Sequence, residues 1–261
     1  MFYKFVQGDE PTLLDIFEKA VGNGGLKFSS PLSFNDPFEF KFKSIAPSRK
    51  EYDAWHREYD PDRSPEELER GWSSFSGPAA DWNTRFVPRQ MLLGHLKILC
   101  LAGEWNSHLM WGHYAADHRG YAIIYDAEIV KAVGDLPDFE ASAPVAYATT
   151  VPDLRWFQAS PSEMVEPLVF TKSDDWSYEK EFRLILSGEC NPAPHFVCID
   201  PTLVLGVILG SRSPERLIQR ALDFQSARPD FLVQGIRSNP STYSLERHDV
   251  TAKIRRYGHM L

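Results

Sequence analysis

The sequence predicts an α+β fold, a mixed or antiparallel central sheet with flanking helices. Three observations carry this. Short apolar runs of strand length recur from the first residues to the last fifty. Stretches with apolar residues at helical spacing lie between them, and the two kinds of segment do not alternate strictly, as a parallel α/β layout requires. A chain of 261 residues suits one large domain, taken as 1–261, with a helical insertion at about 46–95.

Phe2–Val6 reads as the first strand. Asp9 to Val21 reads as a helix, with Leu13, Ile16, Phe17 and Ala20 at i, i+3, i+4 and i+7, Pro11 in the first turn and Asn23-Gly24-Gly25 as the stop. Leu26–Ser29 is a second strand, followed by a loop from Pro31 to Phe40. Ser64-Pro65-Glu66-Glu67 is a capped helix start, and Arg85 to Leu96 is a further helix after a break at Gly77-Pro78 to Asp81. Lys97–Leu101 is a strand, Ser107–Asp117 a short helix, Gly120–Tyr125 a strand and Ala127–Val133 a helix. Pro144–Thr149 is extended, Ser162–Phe170 helical and Glu179–Leu186 a strand. Strands at 195–199 and 204–209, a helix at 213–225, and strands at Phe231–Ile236 and Tyr243–Asp249 complete the chain.

Composition narrows the class. With 43% hydrophobic, 25% charged and 13% aromatic residues, the chain is globular and not disordered. A net charge of −8 excludes a generally basic nucleic-acid-binding surface. Cys100, Cys190 and Cys198 are too scattered for a disulfide framework or a CxxC zinc site, which fits a reducing cytoplasm. The chain opens on strand-like residues, so no signal peptide is expected, and no apolar run reaches the roughly 18 residues of a membrane span.

Three constellations are candidates for chemistry. The first is a loop, Ser29 to Glu39, in which Asn35-Asp36-Pro37 forms a turn by its own chemistry and Phe34 and Phe38 serve as anchors. It is either a structural turn or a loop presenting Asp36 or Glu39 to a cleft. The second runs from Trp105 to Tyr121. On a helix, Trp111, Tyr114, Ala115 and His118 share a face, which makes either a buried aromatic helix or a wall for a planar ligand. Its histidines, His108, His113 and His118, are spaced by five, about 140° apart at 3.6 residues per turn, so no metal is expected there. The third is Lys172 to Trp176 followed by Glu179, Glu181 and Arg183. As a strand, the latter three share one face within about 14 Å, opposite Phe182, Leu184 and Leu186. That face is either an internal ion-pair network or a set of catalytic groups lining a cleft.

Three segments, FNDPFE (34–39), LMWGHYAADHRGYAI (109–123) and K-x3-W-x-YE-x-E-x-R (172–183), together resemble a large bacterial family described as a domain of unknown function. The resemblance covers most of the chain and implies no particular chemistry. A weaker likeness is to ADP-ribosyltransferases: a first strand with Tyr3, a helix, Gly24-Gly25-Leu26 leading into a second strand, and a late strand with Glu179-x-Glu181. This likeness implies NAD as co-substrate, Glu181 gripping the nicotinamide ribose, Glu179 orienting the acceptor, and Tyr114 or Tyr121 stacked on nicotinamide. The chain departs from that pattern in two places: Phe2-Tyr3-Lys4-Phe5 lacks the expected Arg or His, and the Ser-Thr-Ser strand is missing.

The leading expectation is therefore a cytoplasmic, NAD-consuming transferase of bacterial toxin or anti-phage defence type, with a protein or nucleic acid as acceptor and no membrane partner. Glu181, Glu179 and Arg183 form its candidate catalytic set. Tyr3, Asn35, Asp36, Glu39, Trp111, Tyr114, Tyr121, Lys172 and Trp176 are the candidate ligand-binding residues. Two alternatives stand beside it. One is a nuclease in which Asp36, Glu39, Glu179 and Glu181 hold a divalent cation. The other is a non-catalytic binding or sensor module in which the same charges hold the fold together.

Overall fold

The computed structural model describes residues 1–34, 36–77, 80 and 93–250. In chain order these form β1 (Phe2–Val6), α1 (Glu10–Ile16), a π-helical turn (Phe17–Gly22), β2 (Gly25–Phe28), a 3-10 turn (Pro31–Ser33), β3 (Lys43–Ile45), α2 (Arg49–Tyr59) and α3 (Pro65–Ser76). Then follow β4 (Leu96–Ala102), α4 (His108–Tyr114), β5 (Tyr121–Tyr125), α5 (Ile129–Gly134), β6 (Phe139–Pro144), β7 (Ala146–Ala148), β8 (Asp153–Arg155) and α6 (Pro161–Val169). The chain continues through β9 (Thr171–Ser173), a 3-10 turn (Asp174–Glu179), β10 (Glu181–Ser187), β11 (His195–Cys198), a 3-10 turn (Pro201–Leu203), β12 (Val204–Leu209), α7 (Glu215–Ala227), β13 (Leu232–Ser238) and β14 (Leu245–Asp249).

The α+β expectation holds. An eight-stranded sheet runs in the order β14-β13-β12-β5-β1-β4-β10-β6, antiparallel throughout except for the parallel β12–β13 pair. That pair is joined through α7, the long crossover that parallel neighbours need. Helix starts are set locally. Ser48 with Glu51, Ser64 with Glu67, and Ser160 with Glu163 each form a capping box, and Asp9 caps α1 through the Thr12 amide at 3.1 Å. Among the described residues no helix is long and apolar enough to cross a membrane.

Both faces of the sheet are covered. On one, Leu13, Phe17, Ile129, Val133 and Leu217 from the helices pack on Leu101, Ile123, Leu184, Leu186 and Val207. On the other, Met110, Trp111 and Ala115 cover Tyr3, Phe5, Ala122 and Ile124, while Phe40, Val169 and Phe170 cover Ile98 and Ile185. Two elements are refined and two expectations corrected. The second strand lies outside the central sheet; β2 pairs with β11, and the Ser29–Ile98 bridge just after it ties it to β4. The extended run Pro144–Thr149 is divided, because β6 ends at Pro144 and β7 joins β9 in a separate small sheet. The late strand begins at Glu181 instead of Glu179, since Lys180 takes a left-handed backbone (φ 46°) that interrupts the extended run. Phe38 is no anchor: it is 61% exposed, and Phe34 packs on Phe40 instead. The expected helix from Arg85 falls largely outside the described residues, and Leu96 already belongs to β4.

One irregularity positions the site. β1 pairs with β5 from Phe2 to Val6, but with β4 only at Tyr3–Ala102. Beyond that pair the two strands part. Farther down, Ser29 exchanges both backbone hydrogen bonds with Ile98 at 2.8 Å, and between these points the Cys100 carbonyl accepts from Lys4 Nζ at 2.9 Å.

Candidate functional site

A cavity of about 380 Å³ opens where β1 and β4 part. Tyr3, Lys4, Phe5 and Gln7 line it from β1 and its end, Cys100, Leu101 and Ala102 from β4, and Met110 and Tyr114 from α4. Ser29, Ser33, Phe34 and Glu39 come from the loop after β2, Lys172 from β9, Glu179 from the end of the 3-10 turn that follows it, and Glu181 from the start of β10. The loop is held by its own chemistry. Ser30 caps the Pro31–Ser33 turn, Asp36 Oδ1 accepts from the Phe38 amide at 2.8 Å, and Phe40 sits buried in a left-handed conformation (φ 57°).

That loop folds onto β10. Arg183 is fully buried, its guanidinium stacked over Phe40 at 5.3 Å. Arg183 Nη2 donates to Glu39 Oε1 at 2.6 Å, Nε donates to Glu181 Oε1 at 2.8 Å, and Nη1 donates to the Val169 carbonyl at 2.6 Å. Lys172 stands at the convergence of three carboxylates: its Nζ donates to Glu179 Oε2 at 2.7 Å and lies 3.5 Å from both Glu39 and Glu181. Its ammonium also lies 4.8 Å from the Trp176 ring centroid. Tyr114 donates to Glu179 Oε1 at 2.6 Å, and the Glu181 amide donates to the Tyr147 hydroxyl at 2.8 Å. The 3-10 turn between Lys172 and Glu179 lets these two meet across seven residues, and the left-handed Lys180 then turns Glu181 into the same space.

The two glutamates titrate in opposite directions. Burial opposes ionisation of Glu181, but the Arg183 guanidinium beside it, with Lys172, outweighs burial and holds the carboxyl down at about 2. For Glu179 burial wins. Lys172 and Tyr114 only partly offset it, because Lys172 is shared among three carboxylates, and the Glu179 pKa is raised. Burial works against the Lys172 charge, yet Glu181, Glu39 and Glu179 together keep it firmly protonated. Burial also pushes the Cys100 thiol up, which disfavours its thiolate form.

The structure thus brings together Tyr3, Glu39, Tyr114, Lys172, Glu179 and Glu181 on the cavity wall, with Arg183 directly behind. The other candidates sit elsewhere. Trp111 is fully buried beneath Phe5, donating to the Trp105 carbonyl at 2.7 Å. Tyr121 is buried on the opposite sheet face and donates to the Leu13 carbonyl at 3.2 Å. Asp36 is occupied with its own turn, Trp176 packs beneath Lys172, and Asn35 lies outside the described residues. The helix ends at Tyr114, so His118 is not on it; the rings of His118 and Trp111 nonetheless stack, 6.1 Å apart. Sequence reasoning missed Lys4, Cys100 and Tyr147. Lys4 alternates with apolar residues on a strand, a pattern that could have marked it as a charge in an apolar setting. Among the described residues no group of three or more His, Cys, Asp or Glu is arranged to hold a metal ion.

No curated protein and no solved structure matches the chain. The loop at Phe34–Glu39 lies outside the residues that the family comparison covers. Residues 110–184, from the cavity-facing helix through Arg183 on β10, match the model of a family described as "Protein of unknown function (DUF2971)".

Proposed function

We propose that the protein is an NAD-consuming transferase of the ADP-ribosyltransferase kind. The observation that carries this reading is one cavity presenting two adjacent carboxylates, one kept ionised by Arg183 and the other with its pKa raised by burial. Environments that push paired acids apart assign them different roles. Glu181 is the fixed anion. A carboxylate has about four acceptor positions, and Arg183 takes one on each oxygen, so Glu181 keeps capacity for a ribose hydroxyl. The bond from ribose C1′ to the nicotinamide nitrogen breaks, its electron pair leaves with the nitrogen, and nicotinamide departs neutral. Glu181 stabilises the oxocarbenium-like charge left on the ribose. An acceptor hydroxyl or amine then attacks C1′ and gives its proton to Glu179, which Tyr114 and Lys172 hold in place.

The setting we infer is the bacterial cytoplasm, in a toxin or anti-phage effector acting on protein or nucleic acid. The free cysteines among the described residues suit a reducing compartment. The test is nicotinamide release from NAD with cell lysate as acceptor source. Glu181→Gln is expected to cut release by roughly 100-fold or more while circular dichroism stays native. Equal release from both proteins removes the reading.

One observation favours a second reading: the five charges Glu39, Lys172, Glu179, Glu181 and Arg183 pair among themselves. If Glu181→Gln loses the fold and the wild type releases no nicotinamide, the cluster is a structural network in a binding module. The nuclease reading has less support, since the Lys172 ammonium stands where the three carboxylates converge.

A further inference from the structure

We propose that the cavity carries an anion subsite at Lys4, and that its ligand joins a phosphate group to the cationic or hydroxylated group met by Glu179 and Glu181. This deepens the reading above and rests on the cavity being a ligand site. Cavity-lining Lys172 is tied to carboxylates, as is Arg183 behind it. Lys4 lines the same cavity, is half-buried, and makes no ion pair among the described residues. Among the described residues its one hydrogen bond is to the Cys100 carbonyl at 2.9 Å. An ammonium has three donors, so two remain. Gln7 and Ser29 line the cavity too, and among the described residues their side chains make no hydrogen bond.

The sheet explains the placement. Where β1 and β4 part, the Cys100 carbonyl has lost its strand partner, and a long cationic side chain reaches it while staying open to the cavity. The wall is therefore bipolar. A ligand that is only cationic would leave Lys4 without a counter-charge. A ligand that is only anionic would face a cluster of three carboxylates that Lys172 and Arg183 leave with one net negative charge. A phosphate-bearing molecule with a cationic or polyhydroxylated end satisfies both.

A purely structural role for Lys4, as a donor to Cys100, makes a different prediction. Lys4→Gln keeps an N–H donor and removes the charge; Lys4→Arg keeps both. Inorganic pyrophosphate titrated into the full chain by calorimetry is expected to bind the wild type, with affinity falling as salt rises. Lys4→Gln should bind roughly 10- to 100-fold more weakly, and Lys4→Arg close to the wild type. In the unsubstituted protein, pyrophosphate should also protect Lys4 from amine acylation followed by mass spectrometry, a measurement that needs no variant to fold. No wild-type binding, equal binding by Lys4→Gln, or unprotected Lys4 overturns the subsite. The result is separable from nicotinamide release: pyrophosphate binding without release keeps the subsite and drops the NAD reading, and release without pyrophosphate binding does the reverse.

Discussion

Arg183 is the residue on which the site turns. It is a fully buried charge between Glu181 and Glu39, and removing it leaves those two buried carboxylates with only the Lys172 ammonium, 3.5 Å from each and shared with Glu179. Arg183→Met is expected to lower stability by about 3–5 kcal/mol, read as a shift of the urea midpoint. Acid titration separates the two glutamates. Glu181 is held at about 2 in the folded chain against an ordinary 4.5, so its stabilisation is complete above 4.5 and is lost as pH falls through about 2. Glu179 runs the other way. Its folded value lies above 4.5, so the fold loses stability as pH rises from 4.5 through that raised value. Urea midpoints measured from about pH 2 to pH 7 should lose the acid-side fall in Glu181→Gln and the opposing slope in Glu179→Gln. Unchanged profiles would show that neither group is coupled to folding.

At the scale of elements, the turn after α4 holds stored strain. Ala116, Asp117 and His118 are consecutive left-handed residues (φ 49°, 53° and 68°), each without the freedom of glycine. Two glycines let the chain close around them. A Cβ at Gly210 would collide with the His118 carbonyl and lie 2.8 Å from the Gly120 carbonyl, and a Cβ at Gly120 would collide with the Val6 carbonyl. Gly210→Ala is therefore expected to cost about 1–3 kcal/mol by urea denaturation, far more than a surface Gly→Ala change. Because this turn fixes the end of α4, it also fixes Tyr114 against Glu179. The loop before β3 is held differently, by Glu39 reaching across 144 residues to Arg183. Glu39→Ala should raise amide exchange at Ser33, Phe34 and Lys41 by about tenfold or more, while β5 in the sheet centre stays protected. Unchanged exchange would mean that the turn chemistry of Asp36 alone holds the loop.

Over the whole molecule, most of the helices and strands are legible in local chemistry alone. Local chemistry sets β1, α1, the Ser64 cap and the alternation along Glu181–Leu186, because strand pleat, helical period and capping act over a few residues. It also marked Glu39, Lys172, Glu179, Glu181 and Arg183 as candidates, through charges clustered beside apolar runs. The tertiary structure alone decided which of them meet. Trp111 and Tyr114 read alike on one helix, yet Trp111 packs under Phe5 while Tyr114 reaches Glu179, because the side of α4 that meets the sheet is set by packing. Tyr121 falls on the far face because β5 presents it to α1. Lys4 faces a cavity only because β1 and β4 part after one paired residue, and strand pairing is a contact between segments nearly a hundred residues apart. Opposite charges attract over several ångströms in any arrangement, so composition names the partners, but only the sheet that carries them fixes the geometry.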